Sequence, residues 1–397
     1  MDIVVVGQQP WDVEIGSNCK NIALEFSERH RVLYVNSPLD RISMIRGRGD
    51  EKVKKRLEIV AGKMEGLHKI KDRLWNLYPN QIIESINWIK NDWLYTLLNK
   101  WNNKRFAKSI AAALKDLDFK DYILFNDSDM FRSFYLKELL QPKLTVYYSR
   151  DYLLATEYYK YHGEKLEPQL INKSSLCVAN STYLANYCKK YNPNSYYVGQ
   201  GCDLSLFTET VVSEKPADIR NIKGPIIGYV GMLYSVRLDI NIIRDIALNH
   251  PEWQIVLVGL EDETFKASLL HAIDNVHFLG HKEMEELPAY IECFDVCINP
   301  QILTELTIGN YPRKVDEYLA MGKPVVATRT EAMEIFENYV YLADEGESYS
   351  ALIELALVED SDERKQQRKS FVSQHTWANN VKEIYNAIDH VTKAISA

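Results

Sequence analysis

The sequence predicts an α/β protein made of two doubly wound parallel sheets. Short apolar runs, such as residues 2–6 (DIVVV), 226–230 (IIGYV) and 296–299 (VCIN), alternate with segments of helical spacing. Strands covered on both faces read this way. Glycines close several of these runs, at Gly7, Gly231, Gly259 and Gly280. At 397 residues the chain exceeds one usual core, and the polar stretch 208–223 breaks the alternation near its middle.

The first set opens with the strand 2–6, a loop carrying Gly7, Trp11 and Gly16, a helix over 19–29 and a strand over 31–36. Ligands of doubly wound sheets gather at the carboxyl ends of strands, which puts Gly7 and Gly16 on a cleft wall, although ordinary turns explain these glycines too. No GxGxxG follows a strand, so the dinucleotide fingerprint is absent. Residues 41–73 carry eleven Lys/Arg against five Asp/Glu, with apolar residues between them. Such a stretch suits an anionic membrane surface, and equally a solvated helical face. A helical region over 88–117 continues the basic tint.

Strands over 122–126 and 144–148 end in the polar clusters 126–129 (NDSD) and 149–151 (SRD). Asp151 is the candidate acid/base at such a strand end; a carboxylate capping the next helix accounts for it equally. His162 reads as an exposed loop histidine. A strand over 175–180, a helix capped by Ser181 and a strand over 195–198 complete the set.

The second set runs strand 226–230, helix 238–248, strand 253–258, helix 263–272, strand 276–279, helix 283–294 and strand 296–299. Arg237 follows the Gly231 loop, where its guanidinium can reach a diphosphate or simply pair with Asp239. Residues 310–328 (NYPRKVDEYLAMGKPVVAT) then read as a short helix and a buried strand. Pro312 suits the first helical position, and Gly322–Lys323–Pro324 stops the helix. Lys314 and Glu317 share a face near the helix start, where free N–H groups favour an anion. A lysine for a diphosphate beside a carboxylate for two ribose hydroxyls fits a nucleotide; a solvated surface pair fits as well. Helices over 331–338, 348–357, 360–374 and 377–395 and a strand over 340–343 end the chain.

Formal net charge of −8 argues against a nucleic-acid binder held by phosphate contacts. Six cysteines without CxxC or metal-ligand spacing point to a reducing cytoplasm and no metal site. The start MDIVVVGQQPW has neither the basic opening nor the long apolar core of a signal peptide.

The pieces IIGYVGMLYSVRLD, WQIVLVG, NVHFLGHKEMEELPAYIECFDVCINP and YPRKVDEYLAMGKPVVAT, in this order across 225–328, resemble glycosyltransferase family 4. The bacterial branch that builds capsular, teichuronic or exopolysaccharides is the most similar. The Trp11 loop, RVLYVNSP, YYSRD and VGQGCDLSLF extend the resemblance, less specifically, into the first half. It implies the GT-B architecture, two Rossmann-like domains facing across a cleft. Residues 1–207, joined by the C-terminal helix 377–395, would form the acceptor domain; 208–224 a linker; and 225–375 the donor domain. By the same resemblance Glu317 holds the donor ribose, and Lys314 and Arg237 contact the diphosphate. The Gly231 loop approaches the phosphates, Gly280 and His281 face the base, Asn310 lies on the donor side, and Gly7, Trp11 and Gly16 form the acceptor-side loop. Many members place a first glutamate eight positions before the ribose glutamate; here that position is Gly309, and Glu305 is out of register.

The implied reaction moves a sugar from a UDP- or GDP-linked donor to a glycan or lipid-linked hydroxyl, with no metal and no cofactor, on the inner face of the plasma membrane. Asp127–Ser128–Asp129 matches DxD by letters but lies in the acceptor half. A nucleotide-sugar epimerase on the same fold and a non-catalytic nucleotide-sugar-binding partner are the competing readings.

Overall fold

Five consecutive buried residues make β1 (Asp2–Val6) a strand covered on both faces. In the computed structural model, residues 1–12, 16–47, 49–209, 214–344 and 348–396 are described. β1 pairs in parallel with β2 (Arg31–Val35) on one side and with β5 (Ile123–Asp127) on the other. The sheet extends through β4 (Leu74–Leu77) to β3 (Leu67–Lys71) at one edge, and through β6 (Leu144–Ser149) and β7 (Leu176–Ala179) to β8 (Ser195–Tyr197) at the other. All eight strands are parallel except β3, which forms an antiparallel hairpin with β4.

A second sheet of six parallel strands has the order β11-β10-β9-β12-β13-β14. Its members are β9 (Ile226–Val230), β10 (Gln254–Val258), β11 (Val276–Gly280), β12 (Val296–Asn299), β13 (Val325–Thr328) and β14 (Tyr341–Ala343). Strand order reverses between β1 and β5 in the first sheet and between β9 and β12 in the second. Each sheet therefore has a switch point where adjacent loops diverge and leave a crevice. The chain divides into residues 1–199 with 380–397, and residues 200–379. Within the second unit, Ile219 is buried in the core together with Ile226 and Phe294, so part of the 208–224 stretch packs there.

Several elements differ from the sequence expectation. Residues 41–73 form two short helices, Arg41–Arg46 and Glu51–Val60, and then β3. His162 is not an exposed loop residue. It lies in the helix Glu157–Lys173, buried, with its ring stacked 3.5 Å from that of Tyr95 and Nε2 2.9 Å from the Ile89 carbonyl. The helix expected over 263–272 is a short turn, Glu263–Lys266, followed by the 3₁₀ turn Leu269–Ala272. That expected over 331–338 is the 3₁₀ turn Glu331–Phe336. Leu238 stays outside its helix because Asp239 is the N-cap, accepting from the Asn241 N–H at 2.8 Å. No helix among the described residues is long and apolar enough to cross a membrane.

Close packing explains one glycine inside a strand. A Cβ at Gly228 would lie 2.1 Å from the Phe294 ring, which is itself buried. Gly228→Ala is expected to destabilise the second unit by about 1–3 kcal/mol through overpacking, read as a fall in urea midpoint. An unchanged midpoint would show that Phe294 yields freely.

Candidate functional site

The site is built on the helix Arg313–Ala320, which starts one residue later than expected. Pro312 is its N-cap, not its first helical residue. At the other end Gly322 takes φ +78°, its N–H donates to Leu319 O at 2.9 Å, and the Lys323 N–H donates to Tyr318 O at 3.0 Å. These two bonds close the helix, and the left-handed residue between them suits glycine.

Two tyrosines fix this helix against the end of β9. The Val230 N–H donates to the buried Tyr318 hydroxyl at 2.8 Å, satisfying a backbone group where the sheet runs out. Four residues earlier on the same face, the Lys314 ammonium donates to the Tyr229 hydroxyl and sits 4.0 Å from that ring's centroid. A Cβ at Gly231 would stand 2.9 Å from Lys314 Nζ, so the bare glycine makes room for the ammonium. Gly231 (φ +135°) and Gly259 (φ +153°) pack backbone to backbone: a Cβ on Gly259 would lie 1.9 Å from the Gly231 carbonyl. The Gly259 N–H in turn donates to Gly280 O at 2.9 Å. Gly231, Gly259 and Gly280 thus form one side-chain-free edge at the carboxyl ends of β9, β10 and β11, beside Lys314.

Asp316 and Glu317, neighbours in sequence, have opposite surroundings. Asp316 is fully buried and takes three donors: Cys202 Sγ at 3.2 Å, the Tyr311 hydroxyl at 3.1 Å and His375 Nδ1 at 2.7 Å. Glu317 is half-buried, and its carboxylate makes no hydrogen bond or ion pair among the described residues. Burial pushes its carboxyl up to about 7, against the pull of Arg313 and Lys314. Sequence reasoning read Gly259 only as the close of a strand and missed Tyr229, Tyr318 and the Asp316 network. A tyrosine at the end of β9 was its only visible sign.

The remaining expected residues are more scattered. The Arg237 guanidinium is exposed and unpaired among the described residues, while its carbonyl accepts from the Ile302 N–H at 2.9 Å. Asp239, offered as its partner, is occupied as a helix cap. His281 is exposed, 3.6 Å from Glu283. Asn310 is half-buried and donates its N–H to Thr307 O at 3.0 Å. Gly309 is buried and Glu305 exposed.

In the first unit, Gly7 follows β1, and its Cβ position is filled by the Tyr34 hydroxyl 2.1 Å away. Trp11 donates its N–H to Asn36 Oδ1 at 2.7 Å and packs edge-on to Tyr34 at 5.1 Å. Gly16 is exposed with open space around it. Arg150 bonds Asp127 at 2.8 Å and approaches Asp151 to 3.2 Å, so Asp151 is an ion-pair member at the end of β6. Both acids of the DxD letters are internally engaged. Asp127 faces Arg150, and Asp129 bonds Arg132 at 2.8 Å and accepts the backbone N–H of Arg132 at 3.0 Å. No cluster of three metal-ligating residues occurs among the described residues.

Residues 224–357 match the family model described as glycosyl transferases group 1. TuaH of Bacillus subtilis (strain 168), which carries the name of a teichuronic acid biosynthesis glycosyltransferase, is 26% identical over 237 residues, 56% of this chain and 59% of its own. The chain therefore spans less than two thirds of that relative. Among solved structures, Anabaena Alr3699/HepE in complex with UDP is similar at TM-score 0.65 and 16% identity, over 98% of this chain and 100% of that one. Sucrose-phosphate synthase from Thermosynechococcus elongatus is similar at TM-score 0.65 and 14% identity, over 99% of each chain. These likenesses show the fold, two Rossmann-like units of the GT-B type.

The Glu317 environment has a pH signature. A carboxyl that titrates near 7 when folded, against an ordinary 4.5, binds more proton in the native state over that interval. Native stability therefore falls as pH rises through the interval. Glu317→Gln is expected to remove that part of the slope in urea unfolding measured at both ends of it. Identical slopes for parent and variant would mean that the carboxylate is well solvated.

Proposed function

We propose, for a chain of the GT-B fold whose residues 224–357 match the glycosyl transferases group 1 model, a transferase acting on a nucleotide-diphosphate sugar. The sugar passes to a hydroxyl of a glycan or lipid-linked acceptor in the synthesis of a cell-surface polysaccharide. One observation carries the reading. A half-buried carboxylate without a hydrogen-bond partner among the described residues, Glu317, lies one helical turn from an ammonium, Lys314, that borders a glycine edge at a sheet switch point.

In this reading the Glu317 carboxylate accepts both hydroxyls of the donor ribose, two charge-assisted bonds that replace its lost hydration. Lys314 and Arg237 meet the diphosphate, the Gly231 backbone lets the phosphates come close, and Gly280 and His281 border the base. Asn310 stands on the donor side. The bond between the sugar's anomeric carbon and the diphosphate oxygen breaks as the acceptor oxygen bonds to that carbon. Negative charge grows on the leaving diphosphate, and the two cations and the N-terminus of the helix Arg313–Ala320 stabilise it in place of a metal. Asp151 is proposed to take the acceptor's proton, with Gly7, Trp11 and Gly16 along the acceptor side. A uridine donor is favoured because Anabaena HepE, with the same fold, was solved with UDP and with UDP-glucose. The relative TuaH supports a wall-polysaccharide product. Gly309, in place of an acid near the donor sugar, favours a second reading, a nucleotide-sugar-binding partner that does not transfer.

Calorimetry with UDP-glucose tests the assignment. Glu317→Ala is expected to cost about 2 kcal/mol, roughly a thirtyfold rise in Kd. In the parent, affinity should strengthen as pH rises through about 7, where the carboxylate forms, and Glu317→Gln should lose this dependence. Unchanged affinity in both variants would remove the ribose role. Binding with no sugar transferred to membrane-derived acceptors would select the non-catalytic reading.

A further inference from the structure

The helix Asp92–Asp116 carries its amides inward and its tryptophans outward. Asn99, Asn102 and Asn103 are buried, and the amide groups of the last two are satisfied by backbone. Asn102 exchanges two 2.9 Å bonds with the backbone of Glu84, and Asn103 bonds Phe131 O and the Tyr135 N–H, both at 2.9 Å. On the opposite face Trp93 is 74% exposed, Leu97 53% and Trp101 41%, each one turn after the last. Trp88, just ahead of the helix, is 71% exposed, and Ile42 and Ile45 of the helix Arg41–Arg46 are also exposed. A cavity of about 580 Å³ brings Ile42, Arg46, Trp88 and Lys90 together with Asn99 and Asn102 of the helix's inward face; Trp93, Leu97 and Trp101 do not line it. All of it lies within the first unit. A soluble surface rarely leaves this much aromatic area uncovered without a partner to cover it.

Charge indicates which partner. Along the same outer face the tryptophans give way to Lys100, Lys104 and Lys108, all exposed and without an ion pair among the described residues. Three acids near this face are already engaged. Asp92 bonds Lys165 at 2.6 Å, Glu84 bonds Arg41 at 2.6 Å, and Asp40 caps the helix Arg41–Arg46 and accepts from Ser85 at 2.5 Å. A chain of net charge −8 thus presents a local surface that is apolar at one end and cationic at the other. Indole rings settle at the headgroup level of a bilayer, and lysines beside them meet lipid phosphates.

We propose that this face, from Trp88 through Trp93, Leu97 and Trp101 to Lys108 with Ile42 and Ile45 beside it, rests on an anionic lipid bilayer without crossing it. The 41–73 segment contributes less than its charge count suggests. Lys71 bonds Glu28 at 2.5 Å, Arg56 approaches Asp12 to 3.7 Å, and Lys55 lies 4.8 Å from the Tyr78 ring centroid. A lipid-linked acceptor would meet the enzyme at this surface. That consequence rests on the transferase reading, but the docking itself does not.

Flotation of the full chain with vesicles tests the proposal, comparing phosphatidylcholine alone with an equal mixture of phosphatidylcholine and phosphatidylglycerol. The chain is expected to float with the mixed vesicles, to stay free with the neutral ones and to release at high salt. Replacing Trp88, Trp93 and Trp101 by serine should weaken partitioning about tenfold or more. Replacing Lys100, Lys104 and Lys108 by glutamine should weaken it roughly a hundredfold, about fivefold for each charge. Melting midpoints of both variants serve as folding controls, because the replaced side chains are exposed. Absence of vesicle binding by the parent, or equal binding by folded variants, overturns the proposal. So does dimerisation that the tryptophan variant abolishes when the parent binds no vesicles. UDP-glucose affinity, read on the second unit, reports separately on the transferase reading.

Discussion

The hydrogen bond from the Val230 N–H to the Tyr318 hydroxyl holds the candidate site in place. At the carboxyl end of β9 the sheet offers this N–H no strand partner, and a buried donor without an acceptor is costly. Tyr318 supplies the acceptor, which sets both the distance and the rotation of the helix Arg313–Ala320 against the sheet. With that rotation set, Lys314, one turn earlier on the same face, has to land on Tyr229 and the Gly231 edge. Glu317, offset by one residue from Tyr318, falls at the border of that contact, where water is largely excluded and no partner is supplied.

The contrast between Asp316 and Glu317 separates structure from function within one helical turn. A buried carboxylate needs compensation, and Asp316 receives it from Cys202, Tyr311 and His375. Two of these partners, Cys202 and His375, come from the segments beside the points where the chain enters and leaves the second unit, between Gly199 and Gln200 and between Asn379 and Asn380. Asp316 therefore ties the helix to the first and last segments of its own unit. Glu317 receives nothing comparable, and its raised proton affinity is the consequence. A fold that satisfies one acid threefold and leaves the next one bare marks the second as the candidate for a ligand.

Much of this arrangement was legible in the sequence because it is local. Strand runs such as DIVVV and IIGYV, the Gly322 stop signal, and the three-residue spacing of Lys314 and Glu317 all depend on neighbours along the chain. The parts that were not legible depend on partners far along it: Tyr318 meets Val230 across 88 positions and Cys202 meets Asp316 across 114. His162 looked like a loop residue because Gly163 and Pro168 weaken the helical pattern around it, yet Tyr95 and Ile89 supply the packing that holds the helix Glu157–Lys173 there. The helix Asp92–Asp116 falls within the helical region expected over 88–117, but its orientation was not legible. Its apolar residues repeat at helical spacing on two faces, so periodicity alone could not tell the tryptophans that face solvent from the phenylalanine and alanines that face the sheet.

The two switch points show why topology alone does not assign a ligand. Both lie at carboxyl ends of parallel strands, and both have acids and cations nearby. In the first unit those charges neutralise each other: Asp127 is bonded by Arg150, and Arg150 also draws in Asp151. An anion arriving there would have to break an existing buried pair. In the second unit Lys314 donates to the Tyr229 hydroxyl and makes no ion pair among the described residues, Arg237 meets no acid among them, and the glycine edge leaves the backbone free of side chains for a close approach. A diphosphate at that edge adds interactions without displacing an ion pair. The difference between the units lies in which charges the fold has already satisfied, and that difference is the ground for proposing the nucleotide site in the second.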